Sequence, residues 1–171
     1  MKFITKLVVL AIFVTFLSCS SDDDNSSLQE VAITTASLSG TYELTAYNSL
    51  DITLLETEDG TYTESIIGEH LTLGNSNITF TESGDYSFNY NYVITEKYAL
   101  NGFTYITDNV DYSDASAGDY TITGDQKVLF NGREYEATLL NNGELTIYFE
   151  QYEETEYYEN TYSQELTFTK V

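Results

Sequence analysis

Tyr86, Phe88, Tyr90, Tyr92 and Ile94 occupy every second position of one stretch, so in a β-strand they share a face. The chemistry such a row offers is recognition. Ring faces suit an apolar body and phenolic hydroxyls suit polar edges, as an amphipathic or sugar-like ligand requires. In a filled barrel the same row is core, each hydroxyl reaching the mouth or a backbone partner. Groups that make and break bonds are scarce. His70 is the only histidine, and it sits beside Glu69 in a strand-like run that reads as surface. One histidine and one cysteine make no Cys/His zinc set. The 28 acidic residues guarantee chance pairs, and no spacing singles out a glycosidase-like couple. Asp108, Asp111, Asp114 and Asp119 invite a calcium loop, but Ser113 stands where an EF-hand loop has its glycine. The expectation is a non-enzymatic protein without metal or cofactor.

The single cysteine has a context of its own. Cys19 follows Lys2, Lys6 and an apolar run from Leu7 to Phe16, with Leu17-Ser18 before it and Ser20-Ser21-Asp22-Asp23-Asp24 behind. A positive start, a short apolar middle and small residues before a cut make a secretory pattern. The run measures about 15 Å as a helix, half the hydrocarbon a membrane span must cross. A secreted protein built on disulfides would carry an even set of cysteines elsewhere. These residues resemble a bacterial lipoprotein signal, which implies cleavage after residue 18 and lipid on Cys19. The serine and aspartate run resembles the export signal of Bacteroidetes lipoproteins, which implies the outer face of an outer membrane.

Cleavage leaves residues 19–171, in which Lys97, Lys127, Arg133 and Lys170 face 28 acidic side chains. Such a surface repels nucleic acid and anionic headgroups, so the expected partners are the membrane holding the lipid and a small apolar, amphipathic or sugar-like ligand. Sixteen Tyr and nine Phe with no Trp or Pro make a β composition. No sustained helical period follows the signal.

Turn chemistry sets the register of several hairpins. Glu82-Ser83-Gly84 pairs Phe80 with Tyr86 and Ile78 with Phe88. Asn131-Gly132 pairs Phe130 with Arg133 and Val128 with Tyr135. Asn141-Asn142-Gly143 pairs Leu139 with Leu145, Ala137 with Ile147, and Tyr135 with Phe149. One face then collects Val128, Phe130, Tyr135, Ala137, Leu139, Leu145, Ile147 and Phe149. A slip of one residue would bury Glu134 and Glu136 instead. Asn101-Gly102 makes a further hairpin. Elsewhere Tyr42, Leu44 and Ala46 alternate as an inward row, with further strands at 51–55, 62–67 and 70–73 and turns at Asp59-Gly60, Gly68 and Gly74-Asn75. Residues 108–117 read as a loop, and the last strand turns Leu166 and Phe168 inward.

These short strands suggest an antiparallel up-and-down barrel, with a β-sandwich as the alternative. The opening Leu38-Ser39-Gly40-Thr41-Tyr42-Glu43-Leu44, the hairpins, Gly118-Asp119-Tyr120-Thr121-Ile122 and the closing Leu166-Thr167-Phe168-Thr169-Lys170 resemble the lipocalin-like domains of Bacteroidetes lipoproteins. Tyr42 stands where a lipocalin has the tryptophan that plugs the closed end. The implied organisation is signal 1–18, lipidated tether 19–37 and lipocalin-like barrel 38–171. Its lumen candidates are Tyr86, Phe88, Tyr90, Tyr92, Tyr135 and Phe149. The rival is a filled barrel acting as a surface interaction module for glycan or protein through Tyr148, Tyr152, Tyr157 and Tyr158. The anchor has a direct test. Several acyl chains at about 0.8 kcal/mol per buried methylene hold a protein on a membrane, whereas one chain is marginal. Cys19→Ala is therefore expected to move the protein from the membrane fraction or leave it unprocessed. A wild type found soluble and cut at another bond would refute lipidation at Cys19.

Overall fold

The structure is a computed structural model that describes residues 27–171; the signal-like run, Cys19 and the Ser20–Asp24 segment lie outside the described residues. Eleven strands and one short helix make up the described chain. They are β1 (Glu30–Val31), α1 (Thr35–Leu38), β2 (Gly40–Thr57), β3 (Gly60–Thr72), β4 (Asn77–Phe80), β5 (Asp85–Leu100), β6 (Phe103–Asp119), β7 (Thr121–Gly124), β8 (Lys127–Phe130), β9 (Arg133–Leu140), β10 (Glu144–Glu154) and β11 (Tyr158–Lys170). All pairings are antiparallel and belong to one sheet.

Two of these lanes are shared by consecutive strands. β3 and β4 both lie between β2 and β5, interrupted by the turn at Gly74-Asn75. Ser76 fastens that interruption on both sides. Its hydroxyl accepts the Asn91 N–H at 2.8 Å and its carbonyl accepts the Leu44 N–H at 2.9 Å. β6 and β7 share the second lane with a corner at Tyr120; β6 pairs with β5, and β7 with β8. Each lane thus pairs with its neighbours in chain order, and β11 returns to pair with β2 along its whole length. β6 and β7, which pair with opposite sides of the ladder order, follow one another in the chain through Tyr120, with no ladder between them among the described residues.

The turn-set registers hold except at Tyr135 and Phe149, which lie beyond the last ladder pair, Tyr148 with Glu136, and meet only through their rings at 5.7 Å. Phe80 pairs with Tyr86, Ile78 with Phe88, Val128 with Tyr135, Phe130 with Arg133, Leu139 with Leu145 and Ala137 with Ile147. Tyr135 is buried and Glu136 exposed, as the face assignment requires. The core gathers the inward rows of every lane, and Tyr42, Phe80 and Phe168 are its largest fully buried side chains. Lys170 lies over Tyr42, its ammonium 5.5 Å from the ring centre and donating to the Ser39 carbonyl at 2.6 Å.

Four expectations are corrected. Residues 108–117 are not a loop but the middle of β6, paired with β5 throughout. Gly68 is not a turn but a mid-strand residue of β3, where a Cβ would meet Ser49 Oγ at 2.4 Å. The segments expected at 51–55, 62–67 and 70–73 are strand, Leu73 excepted, but as parts of two long strands, β2 and β3, rather than three short ones. Ala46 does not face inward, because a bulge in β2 shifts the register so that Leu44 and Tyr47 are buried and Ala46 is only half-buried. Residues ahead of position 38 contribute to the sheet and the core as well. β1 pairs with β9, Ile33 is buried, and a capping box of Thr34 and Ser37 starts the helix that delivers Leu38 to the core.

Gly74 and Gly132 give a measurable contrast. Both have positive φ, +52° and +73°, but a Cβ at 132 meets nothing within 4 Å while one at 74 falls 2.0 Å from the Asn91 carbonyl oxygen. Gly132→Ala should cost roughly 1–2 kcal/mol from its left-handed backbone alone. Gly74→Ala should cost clearly more, read from the midpoints of two urea melts. Equal costs would mean that the 73–76 turn does not pack on β5.

Candidate functional site

The aromatic row of β5 forms as its spacing requires. Tyr86, Phe88, Tyr92 and Ile94 are buried and Tyr90 is half-buried. Rings from distant strands close over it: Phe130 lies 5.1 Å from Tyr86, Phe168 5.8 Å from Phe88, and Tyr47 5.1 Å from Tyr92, between ring centres. Most of the row is therefore packed. A cavity of about 140 Å³ remains beside it, lined in part by Phe88, Tyr90, Tyr92, Arg133, Tyr135 and Gln164. Four of the sequence candidates, Phe88, Tyr90, Tyr92 and Tyr135, thus come together on that cavity. Tyr86 belongs to the packed part, and Phe149 sits beside the cavity under the Arg133 guanidinium, 5.0 Å from ring centre to charge.

Arg133 and Gln164 escaped the sequence reading. The Asn131-Gly132 register already opposed Arg133 to inward-facing Phe130, so its place on the inner face was legible, but attention to apolar residues passed over it. Gln164 follows from its pairing in β11, where it stands opposite Phe149 and donates to the Tyr47 hydroxyl at 3.3 Å.

Burial raises the pKa of Tyr90, Tyr92 and Tyr135, because the phenolate is poorly solvated there. All three remain neutral at physiological pH, so each keeps a proton to donate. Tyr90 shares a hydrogen bond with Ser116 at 3.2 Å. The tyrosines of β10 and the start of β11 behave differently. Tyr152 and Tyr158 donate to Glu154 and Glu153 at 3.0 and 2.9 Å, and Tyr148 donates to Glu150. Tyr148 and Tyr152 lie two pleats apart on β10, Tyr157 stands in the following turn and Tyr158 begins β11 half-buried. The four do not form one patch of free hydroxyls. His70 is exposed, and its Nδ1 faces the Tyr47 N–H at 3.5 Å, near the bulge. Along β6, Asp108 and Asp114 pair with Glu96 and Tyr90 on one face while Asp111 and Asp119 pair with Val93 and Asp85 on the other. Strand alternation therefore keeps the four aspartates from converging.

Comparison with family models, curated proteins and solved structures finds no match for this chain. The described residues form an all-β antiparallel sheet around an aromatic core with a small cavity at its edge.

The tyrosines supply a pH test. The Glu96 acceptor pushes Tyr98 up to about 12, and partial desolvation with a glutamate acceptor does the same for Tyr148 and Tyr152, against an ordinary 10.0. A pKa raised by folding stabilises the native state fully below the unfolded value. That contribution is lost as pH rises through the folded value, here between pH 10 and about 12. In an absorbance titration the native protein should form most of its tyrosinate above about pH 11, and the chain in guanidinium near pH 10. Coincident curves would show that the tyrosine–glutamate pairs do not persist in solution.

Proposed function

We propose that this chain is a lipoprotein, cut before Cys19 and held by lipid on it at the outer face of an outer membrane, whose lipocalin-like barrel binds a small apolar or amphipathic molecule and catalyses no reaction. The barrel reading is supported by the order of the lanes, each bonded to its neighbour in sequence and the last to the first, with Tyr120 turning the corner between β6 and β7. The observation that carries the binding reading is the cavity, where ring faces and unionised hydroxyls meet three amide or guanidinium side chains, Asn131, Arg133 and Gln164, at the edge of the core. Ligand pockets commonly span about 300–1,000 Å³, so 140 Å³ admits a ring-sized body or one end of a longer molecule. The anchor, the surface location and the absence of catalysis rest on the sequence arguments given above.

The interaction-module reading is favoured by a different feature. Leu100, Phe103 and Tyr105 stand exposed at the β5–β6 hairpin, Phe103 at 80%, and line a groove of about 470 Å³. One pair of measurements separates the two. Small molecules retained by protein purified from its own cells are identified by mass spectrometry, and Phe88→Ala and Tyr90→Ala are melted in denaturant. For a binding protein, an amphipathic molecule is recovered from wild type and lost from Tyr90→Ala. Tyr90→Ala should also destabilise less than Phe88→Ala, for which about 3–5 kcal/mol is expected of a fully packed ring. No retained molecule together with equal destabilisation would make the row plain core and leave the exposed hairpin surface as the functional one.

A further inference from the structure

Arg133 is out of keeping with the charge around it. The chain carries 28 acidic residues against six basic ones, so a basic side chain should find a carboxylate readily. Lys97 does so with Glu69 and Lys127 with Glu134, both at 2.8 Å, and Lys170 is held by the Ser39 carbonyl. Arg133 has no carboxylate partner among the described residues, and no Asp or Glu lines the cavity it borders. Its guanidinium lies over the Phe149 ring instead, 5.0 Å from the ring centre, a contact that uses none of its N–H donors. The Tyr135 hydroxyl is beside it, and its charge also reaches the hydroxyls of Tyr90 and Tyr162, where it opposes the effect of burial. The cavity is edged by this arginine, protonated phenols and the amides of Asn131 and Gln164, with no Asp or Glu among its lining residues; one carboxylate, Asp114, stands opposite Tyr90 in the β5–β6 ladder, acts on its hydroxyl and is itself engaged by the Ala115 N–H.

We propose, building on the small-ligand reading above, that the ligand is an anionic amphiphile, a monocarboxylate whose head accepts from the Arg133 fork and the neighbouring tyrosine hydroxyls while a ring-sized apolar body lies among Phe88, Tyr90, Tyr92 and Tyr135. Arginine and carboxylate match through two parallel N–H···O bonds. The body is limited by volume: a dry cavity of about 150 Å³ takes one benzene. The charge distribution gives this assignment an unusual prediction, because a protein of net charge −22 should otherwise favour cations.

The test uses the full chain as purified in nonionic detergent at 0.15 M salt, which screens the distant charges to within about 8 Å. 4-Fluorobenzoate, 4-fluorobenzamide and 4-fluorobenzylammonium are titrated and followed by fluorine NMR. The benzoate should bind at least tenfold more tightly than the amide, with the ammonium weakest. Arg133→Gln should erase the preference, and Arg133→Lys should restore part of it. Because Arg133 is exposed, both variants should keep the wild-type melting midpoint. Equal binding of benzoate and amide, unchanged by Arg133→Gln but weakened by Tyr90→Ala, would overturn the anionic assignment and leave the small-ligand reading standing. Binding of none of the three probes would overturn it as well, and the retained-molecule measurement would then decide the small-ligand reading independently.

Discussion

The curl of the sheet depends on Phe130. Strands β8 and β5 are remote in the order of the sheet, yet Phe130 of β8 lies 5.1 Å from Tyr86 and 5.9 Å from Phe80, with Tyr135 stacked on its other side at 4.4 Å. An open sheet would expose these rings. At about 25 cal/mol per Å², and 150–250 Å² for each aromatic side chain, burying one is worth roughly 4–6 kcal/mol before entropy is charged against it. Tyr120 makes the folding-over geometrically possible. Its N–H donates to Gly84 and its hydroxyl to Thr81, both at 2.7 Å, and its ring meets Phe80 edge-on. The chain is thereby pinned to the β4–β5 turn at the point where it leaves one ladder for the next.

Where the aromatic packing ends, the character of the strands changes. β2, β3, β5, β10 and β11 run on past the core, and apart from Gly68, Ile94 and Ala99 their further halves carry half-buried or exposed residues. The cavity lies between these regimes. It is bounded on the packed side by Phe88 and Ile147, and by Arg133 and Gln164 where polar side chains begin. A site at such a boundary receives rigid walls from the core and polar groups from the rim, the combination that recognition of an amphipathic molecule requires.

What was legible in the sequence follows from range. Asn-Gly and three-residue glycine loops dictate backbone twist locally, so the register of β4–β5, β8–β9 and β9–β10 was readable from a few residues each. Long continuous strands were not. β2 contains a bulge that inverts its alternation at residue 46, and β6 is exposed for nearly its whole length, so neither displays an unbroken period of two. The helix at 35–38 is too short to show a period, and only its capping box and buried Leu38 mark it. The face of the aromatic row was legible; its degree of filling was not. Whether a ring closes a cavity depends on side chains from other strands, such as Tyr47 and Phe168, whose approach is set by the curl of the whole sheet.

The aspartates of β6 show how the acidic character serves the structure. Among the described residues β6 pairs only with β5, which leaves a long edge of backbone groups available to another strand. Asp108 and Asp114 each fold back to accept the N–H of the following residue, Asn109 at 2.8 Å and Ala115 at 2.7 Å. Those donors are thus satisfied by carboxylates that also repel an approaching strand of the same charge. Asp111 and Asp119 place negative charge on the opposite face of the strand. The residues whose spacing suggested calcium are in this arrangement spread along an exposed edge strand, Asp108 and Asp114 bonded to its own backbone. Asp114 stands opposite Tyr90 and raises its pKa, yet no carboxylate lines the Arg133 cavity itself, in a chain that carries 28 of them.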